Sequence, residues 1–334
     1  MYKKHGITYW HVSCTHIVST ARKSMICPQR LDVAGRSTFK RLGKIMMRIL
    51  IGYNGSDVSN AALEDLRHAG LPERAEAVVV SVAELCCAPA NIDEAGKRAL
   101  HAANKIQKDF PNWSVGTETA SGPPAAEILS LAESFKPDLI IVGEYRREMK
   151  ERNIFLGQAS QTILKEAGCS VRIARGERGL PTHPERVLVG FDGSAGSKLA
   201  VASIASRSWP AESQVRLLAV ADSFVLGSIG RFVPQMADVA IGAKFVSQWA
   251  ETLAANSIRK LTNAGLSASV EIGMGYPKDT IIEVAKAWNA DSIFVGPHCS
   301  ENSFERFLLG SVSAAVAACA HGSVEIVRTH HNVG

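Results

Sequence analysis

The sequence predicts an α/β protein of two tandem open-sheet domains, and three observations carry that prediction. From residue 47 onward, short aliphatic runs alternate with longer helical stretches. The first run and its turn, Arg48-Ile-Leu-Ile-Gly-Tyr-Asn54-Gly55-Ser56, return 138 positions later as Arg186-Val-Leu-Val-Gly-Phe-Asp192-Gly193-Ser194. The segment 138–175 also aligns without a gap to 291–328 at an offset of 153, with 13 identities in 38 columns. Self-similarity at fixed offsets is the signature of a duplicated structure.

Each copy reads in the same order. A β-branched run (49–51; 187–189) meets a Gly-Ser turn and then a helix (60–68; 198–207). A second strand (77–82; 215–220) is followed by a long helical stretch (93–110; 244–264). The third strand (113–118; 268–272) runs into Gly122-Pro123-Pro124 or Gly275-Tyr276-Pro277, where proline suits a helix start. The helices 125–135 and 279–289 lead to the fourth strands, 139–142 and 292–295. A loop, a last helix (159–167; 312–320) and a last strand (171–174; 324–327) close each unit. Strands alternating with helices imply parallel β-α-β units with buried strands. The difference of 15 between the two offsets places an insert in the second copy, assigned to the apolar segment 224–243. The predicted domains are thus 46–175 and 186–328, joined by a Gly/Pro-containing linker at 176–185.

Composition sets limits. The net charge of +5 is misleading, because residues 1–45 hold nine Lys/Arg and one acid, a net of +8. The remainder has 28 basic and 31 acidic residues, a net of −3, so the charge is no argument for a nucleic-acid partner. Residues 1–45 show no clear periodicity and read as a disordered basic extension, or as sequence upstream of a natural start at Met46 or Met47; a targeting or anionic-partner role is the second reading. No run of 18 apolar residues predicts a membrane span. Seven scattered cysteines, among them the adjacent Cys86 and Cys87, have no metal-ligand spacing and read as reduced thiols of a cytoplasmic protein.

The chemistry-bearing motifs cluster in the second copy. Val295-Gly296-Pro297-His298-Cys299 is followed by nine residues and then by Leu309-Gly310-Ser311-Val312-Ser313, which opens an apolar helix. A glycine at the end of a strand lets a ligand approach the backbone. Free N–H groups and the dipole at a helix start favour phosphate, and the Ser311 and Ser313 hydroxyls add donors. Asp192 ends the first strand of its copy, where a carboxylate can accept a ribose hydroxyl. Gly296 and Gly310 also have a purely conformational reading.

These residues carry a resemblance. The Asp-Gly-Ser after strand 1, and the Gly-x-x-Gly-x9-Gly-Ser/Thr pattern after strand 4, resemble the ATP-binding kind of universal stress protein. The segment 304–313 matches that family's loop, and the resemblance covers nearly all of 47–328, twice. It implies a Rossmann-like, five-stranded parallel sheet in each domain. It also implies pairing of domains through their last strands, here an intramolecular pseudo-dimer, with further homodimerisation left open. For ligands it implies an adenine nucleotide, ATP with or without Mg2+, held by Asp192, Gly296, Gly310, Ser311, Val312 and Ser313, with Val220 and Val295 flanking the adenine.

Departures make the copies unequal. In the second, Cys299 replaces the second loop glycine and the spacing to Gly310 is ten rather than nine. In the first, Asn54 replaces the aspartate, Arg146 the second glycine and Gln158 the Ser/Thr. The Arg146, Arg147, Lys150, Arg152 cluster reads first as a solvated loop and second as a phosphate contact. His298 and Cys299 read as uninvolved loop residues before they read as a phosphate contact and a redox thiol. Three classes of function follow: a nucleotide-binding regulator of stress responses, a scaffold with vestigial sites that acts through protein contacts, and an enzyme. The third lacks a Ser-Gly-Gly-x-Asp-Ser loop and any base–nucleophile pair, so slow ATP hydrolysis is the most it allows.

Overall fold

The computed structural model describes residues 46–83, 89–144, 156–175, 183–221, 239–297 and 309–329. The basic segment 1–45, linker residues 176–182, most of the expected insert, and the loop residues Cys86, Cys87, Arg146, Arg147, Lys150, Arg152, His298 and Cys299 lie outside them.

The first copy runs β1 (Met47–Gly52), α1 (Asp57–Asp65), β2 (Ala75–Ala83), α2 (Pro89–Asp109), β3 (Ser114–Ser121), α3 (Pro124–Phe135), β4 (Leu139–Gly143), α4 (Gln158–Glu166) and β5 (Ser170–Ala174). The second runs β6 (Arg186–Gly190), α5 (Ala195–Ala205), β7 (Gln214–Ala221), α6 (Val239–Asn263), β8 (Ser267–Met274), α7 (Pro277–Ala287), β9 (Ser292–Val295), α8 (Ser311–Cys319) and β10 (Ser323–Ile326). Helices α1 and α5 begin three residues before the apolar periodicity does. The hydroxyls of Ser56 and Ser194 accept the N–H of Ser59 and Ser197, at 3.3 and 3.2 Å, and so cap each helix at its true start.

The strands form one ten-stranded sheet in the order β3-β2-β1-β4-β5-β10-β9-β6-β7-β8. Each half is parallel within itself. At the centre β5 and β10 pair antiparallel, with Ile173 opposite Val324, Arg172 opposite Glu325 and Val171 opposite Ile326. Two five-stranded parallel sheets have therefore fused, and neither last strand is left as an open edge.

The helices divide by face. On one face α3, α4, α7 and α8 cover a single cluster that crosses the junction, joining Ile128, Ile163 and Ile173 of the first copy to Ile281, Val316 and Val324 of the second. On the other face each copy keeps its own cluster, with Leu63 and Ala99 under α1 and α2, and Ile204 and Ala254 under α5 and α6.

Between those two clusters lies a polar seam. Arg172 is fully buried; its Nε donates to Asp65 Oδ2 at 2.6 Å and its Nη2 to Ser292 Oγ at 2.9 Å. Its Nη1 is 3.7 Å from Glu325 Oε2. Arg207 pairs with Glu325 through both carboxylate oxygens and also donates to the Ala69 carbonyl. Burial pulls the Arg172 pKa down, but Asp65 and Glu325 more than restore it, so the net shift is upward and the charge is kept. The last strands also exchange arginines. Arg175, after β5, donates to the Ala317 and Ala320 carbonyls at the end of α8; Arg328, after β10, donates to Leu164 and Ala167 at the end of α4.

Candidate functional site

The topology fixes where a ligand can sit. In the second copy the chain runs outward from β6 to β7 and β8, then returns to β9 on the other side of β6. The gap between β6 and β9 at their carboxyl ends is a topological switch point, the usual ligand crevice of open α/β sheets.

The structure brings the expected residues to that crevice from three adjacent strands. Asp192 follows β6 and is exposed. Val220 is half-buried near the end of β7, beside Gly273 in register. Val295 is the buried last residue of β9, and Gly296 follows it. Parallel pairing of β9 with β10 obliges α8 to start at the same end of the sheet. Gly310 is its N-cap, with no side-chain cap and no acid in the first turn. The first-turn N–H groups of α8 therefore have no partner within the helix. Ser311 is exposed, Val312 packs partly against the shared core, and Ser313 is buried.

Asp192 is engaged locally. Its Oδ1 accepts the Ser194 N–H at 2.9 Å, closing an Asx-turn. Partial burial pushes its carboxyl pKa up, but hydrogen bonds from Ser194 and Ser197 outweigh that, and the net shift is downward. Asp192 therefore stays ionised with lone pairs to spare. Asn54 repeats the turn: its Oδ1 accepts the Ser56 N–H at 3.1 Å and the Ser56 hydroxyl at 2.7 Å.

Gly296 has a second explanation. A Cβ built on it would lie 2.1 Å from the backbone of Gly196, in the first turn of α5. A Cβ on Gly196 would lie 2.1 Å from the Pro297 carbonyl. The two glycines let helix and strand backbones meet. Gly143 does the same against the Val58 carbonyl, at 2.3 Å. The conformational reading of Gly296 thus has a concrete basis, and Gly196 is a residue the sequence reading missed. Its signal was faint, since the repeat aligns it with Val58.

The matching crevice of the first copy, between β1 and β4, is furnished differently. Glu144 takes the place of Pro297, and its carboxylate lies 3.2 Å from where a Cβ on Gly157, the N-cap of α4, would stand. An anion of the chain's own thus already sits beside that helix start. Arg98 of α2 lies against Gly55 with its Nε 3.5 Å from Ser81 Oγ, where the second copy has Leu253 against Gly193. Among the described residues no group of three or more His, Cys, Asp or Glu is arranged to hold a metal ion. No helix of the described residues is long and apolar enough to cross a membrane.

Comparison with known proteins bears on the family and the fold. The sequence model of the universal stress protein family matches residues 46–175 and again 184–328. A universal stress protein of Methanocaldococcus jannaschii is 33% identical over 145 residues, which is 38% of this chain and 81% of that protein. One from Thermus aquaticus is 32% identical over 134 residues, 38% of this chain and 97% of that one. Among solved structures, a universal stress protein from Archaeoglobus fulgidus superposes with a TM-score of 0.59 at 21% identity, covering 84% of this chain and 98% of its own. A Pseudomonas aeruginosa relative gives 0.56 at 16% identity, covering 85% and 94%. At these identities the two structures speak for the fold.

Proposed function

The chain belongs to the universal stress protein family, and from that premise we propose that it is a stress-response regulator that binds ATP or a related adenine nucleotide in its second domain. The observation that carries this reading is the pairing, at one switch point, of the ionised Asp192 with the uncapped start of α8. In this reading Asp192 accepts a ribose hydroxyl, the N–H groups of Ser311, Val312 and Ser313 and the Ser311 hydroxyl receive phosphate oxygens, and Gly310 keeps the approach clear. Val220 and Val295 flank the adenine. A Mg2+ ion, when present, rides on the phosphates, and slow hydrolysis is the most that follows. The first domain, with Asn54, Glu144 and Gln158, serves as its structural partner.

Calorimetric titration of the full chain with ATP tests this. The expected outcome is one site per chain, with Asp192→Ala weakening binding about 10- to 100-fold, the range of a hydrogen bond to a charged group, and Gly310→Val abolishing it. A wild-type chain that takes up no ATP, ADP or AMP at millimolar concentration would sink the proposal. The second reading, a scaffold with vestigial sites, would then remain; it is favoured by the backbone packing that accounts for Gly296 without any ligand.

A further inference from the structure

Equivalent positions in the two copies carry opposite charges at the junction. Arg172 and Glu325 are related by the repeat offset of 153, and they face each other across β5 and β10. The register is symmetric about that pair, since Val171 faces Ile326 and Ile173 faces Val324. The junction therefore has an approximate twofold axis between Arg172 and Glu325. A symmetric pairing of two first domains would bring Arg172 against Arg172. A pairing of two second domains would bring Glu325 against Glu325.

The flanking charges sharpen the contrast. Asp65 lies behind Arg172 in its own domain, and Arg207 behind Glu325 in its own. Along this row the order is Asp65, Arg172, Glu325, Arg207, alternating in sign; beside it a second buried pair, His68 Nδ1 and Glu185 Oε1 at 2.6 Å, also joins the copies. Two first domains would give minus, plus, plus, minus; two second domains the reverse. All four side chains are buried, so like charges meeting at the centre would be poorly screened. Ser292, which accepts from Arg172 Nη2, also has no counterpart: the repeat puts Leu139 there.

We propose that this buried charge order is a pairing code, which makes the β5–β10 face accept only the other domain and bars self-pairing of either domain between chains. Each copy offers an edge that fits its complement and repels its twin, so discrimination comes from the rejected pairing as much as from the accepted one.

The test uses the full chain with a protease site placed within residues 176–182 and cut after folding. Isotope-labelled and unlabelled cut protein are unfolded together in urea, refolded, and weighed by native mass spectrometry. The expected species are pairs of one first-domain and one second-domain fragment. Homotypic pairs in the wild type, or fragments that do not re-pair, overturn the proposal. In a variant carrying Asp65→Leu, Arg172→Met, Arg207→Met and Glu325→Met, homotypic pairs are expected to appear beside the heterotypic ones. An unchanged distribution takes partner choice away from these four charges and overturns the charge code. Should that variant fail to fold, the Arg172→Gln, Glu325→Gln chain removes the central charges alone and is read by the same two outcomes.

Discussion

The two crevices differ less in shape than in what fills them. Both close an Asx-turn after the first strand, through Asn54 or Asp192, and both cap the following helix with a serine. Both also press a glycine, Gly143 or Gly296, against the backbone of that helix's first turn. Among the described residues, only the first copy sets a carboxylate, Glu144, beside the N-cap of its last helix and lays Arg98 along its turn. The frame has been held while the contents have diverged. The comparison shows that the turns, caps and glycines belong to folding. A binding claim has to rest on Asp192 and the open start of α8.

Mutation can break or sharpen that contrast. The largest effect is expected at the seam, where the copies differ most. Arg172→Ala leaves Asp65 and Glu325 buried with their shared cation gone, and should cost about 3–5 kcal/mol in urea denaturation. Arg207→Ala should cost less, because Glu325 still faces Arg172. Equal losses would mean that the four charges do not act as an ordered row. Next come the glycines. Gly296→Ala and Gly143→Ala should each destabilise by about 1–3 kcal/mol through forced backbone movement, by thermal melting without nucleotide. A Gly296→Ala chain of unchanged melting temperature would return Gly296 to the ligand alone. The serine caps follow: Ser56→Ala and Ser194→Ala should each lose about 1 kcal/mol, and by the same amount, since the two turns are copies.

The smallest stability effect falls on Asp192. It is exposed, so Asp192→Asn, which recreates the first copy's turn, should change stability by no more than a few tenths of a kcal/mol. Its folded pKa lies below the ordinary 3.8, so its contribution is complete above that value and is lost as pH falls through the lowered one. The melting curves of the wild type and of the Asp192→Asn chain should therefore converge in acid. The Asp192→Asn chain should nonetheless bind ATP more weakly at neutral pH, and that separation of stability from binding is what distinguishes the second crevice from the first.

Much of this was legible in the sequence. The repeat located all ten strands, because parallel strands buried on both faces read as aliphatic runs between turns. The places of Asp192, Gly296 and Gly310, at two strand ends and a helix start, were legible because their spacing survives. The starts of α1 and α5 were not, since a cap is a hydrogen bond to Ser56 or Ser194 and leaves no mark in apolar periodicity. The packing role of Gly296 was hidden because its partner, Gly196, is 100 residues away. The seam was hidden for the same reason, though it left a trace. A charge flanked by aliphatics in a last strand, as in Val171-Arg172-Ile173 and Val324-Glu325-Ile326, is out of place unless something buried answers it.

The crossed arginines have a consequence for how the molecule comes apart. The carbonyls that end α8 are held by Arg175 from the first domain, and those that end α4 by Arg328 from the second. Each last helix loses those arginine donors once the other domain has melted away, and its final carbonyls are left to water. Fraying on one side is therefore felt on the other, because it strips donors from the end of the partner's last helix. Two domains by ancestry are thereby coupled in their stability through the ends of their last helices.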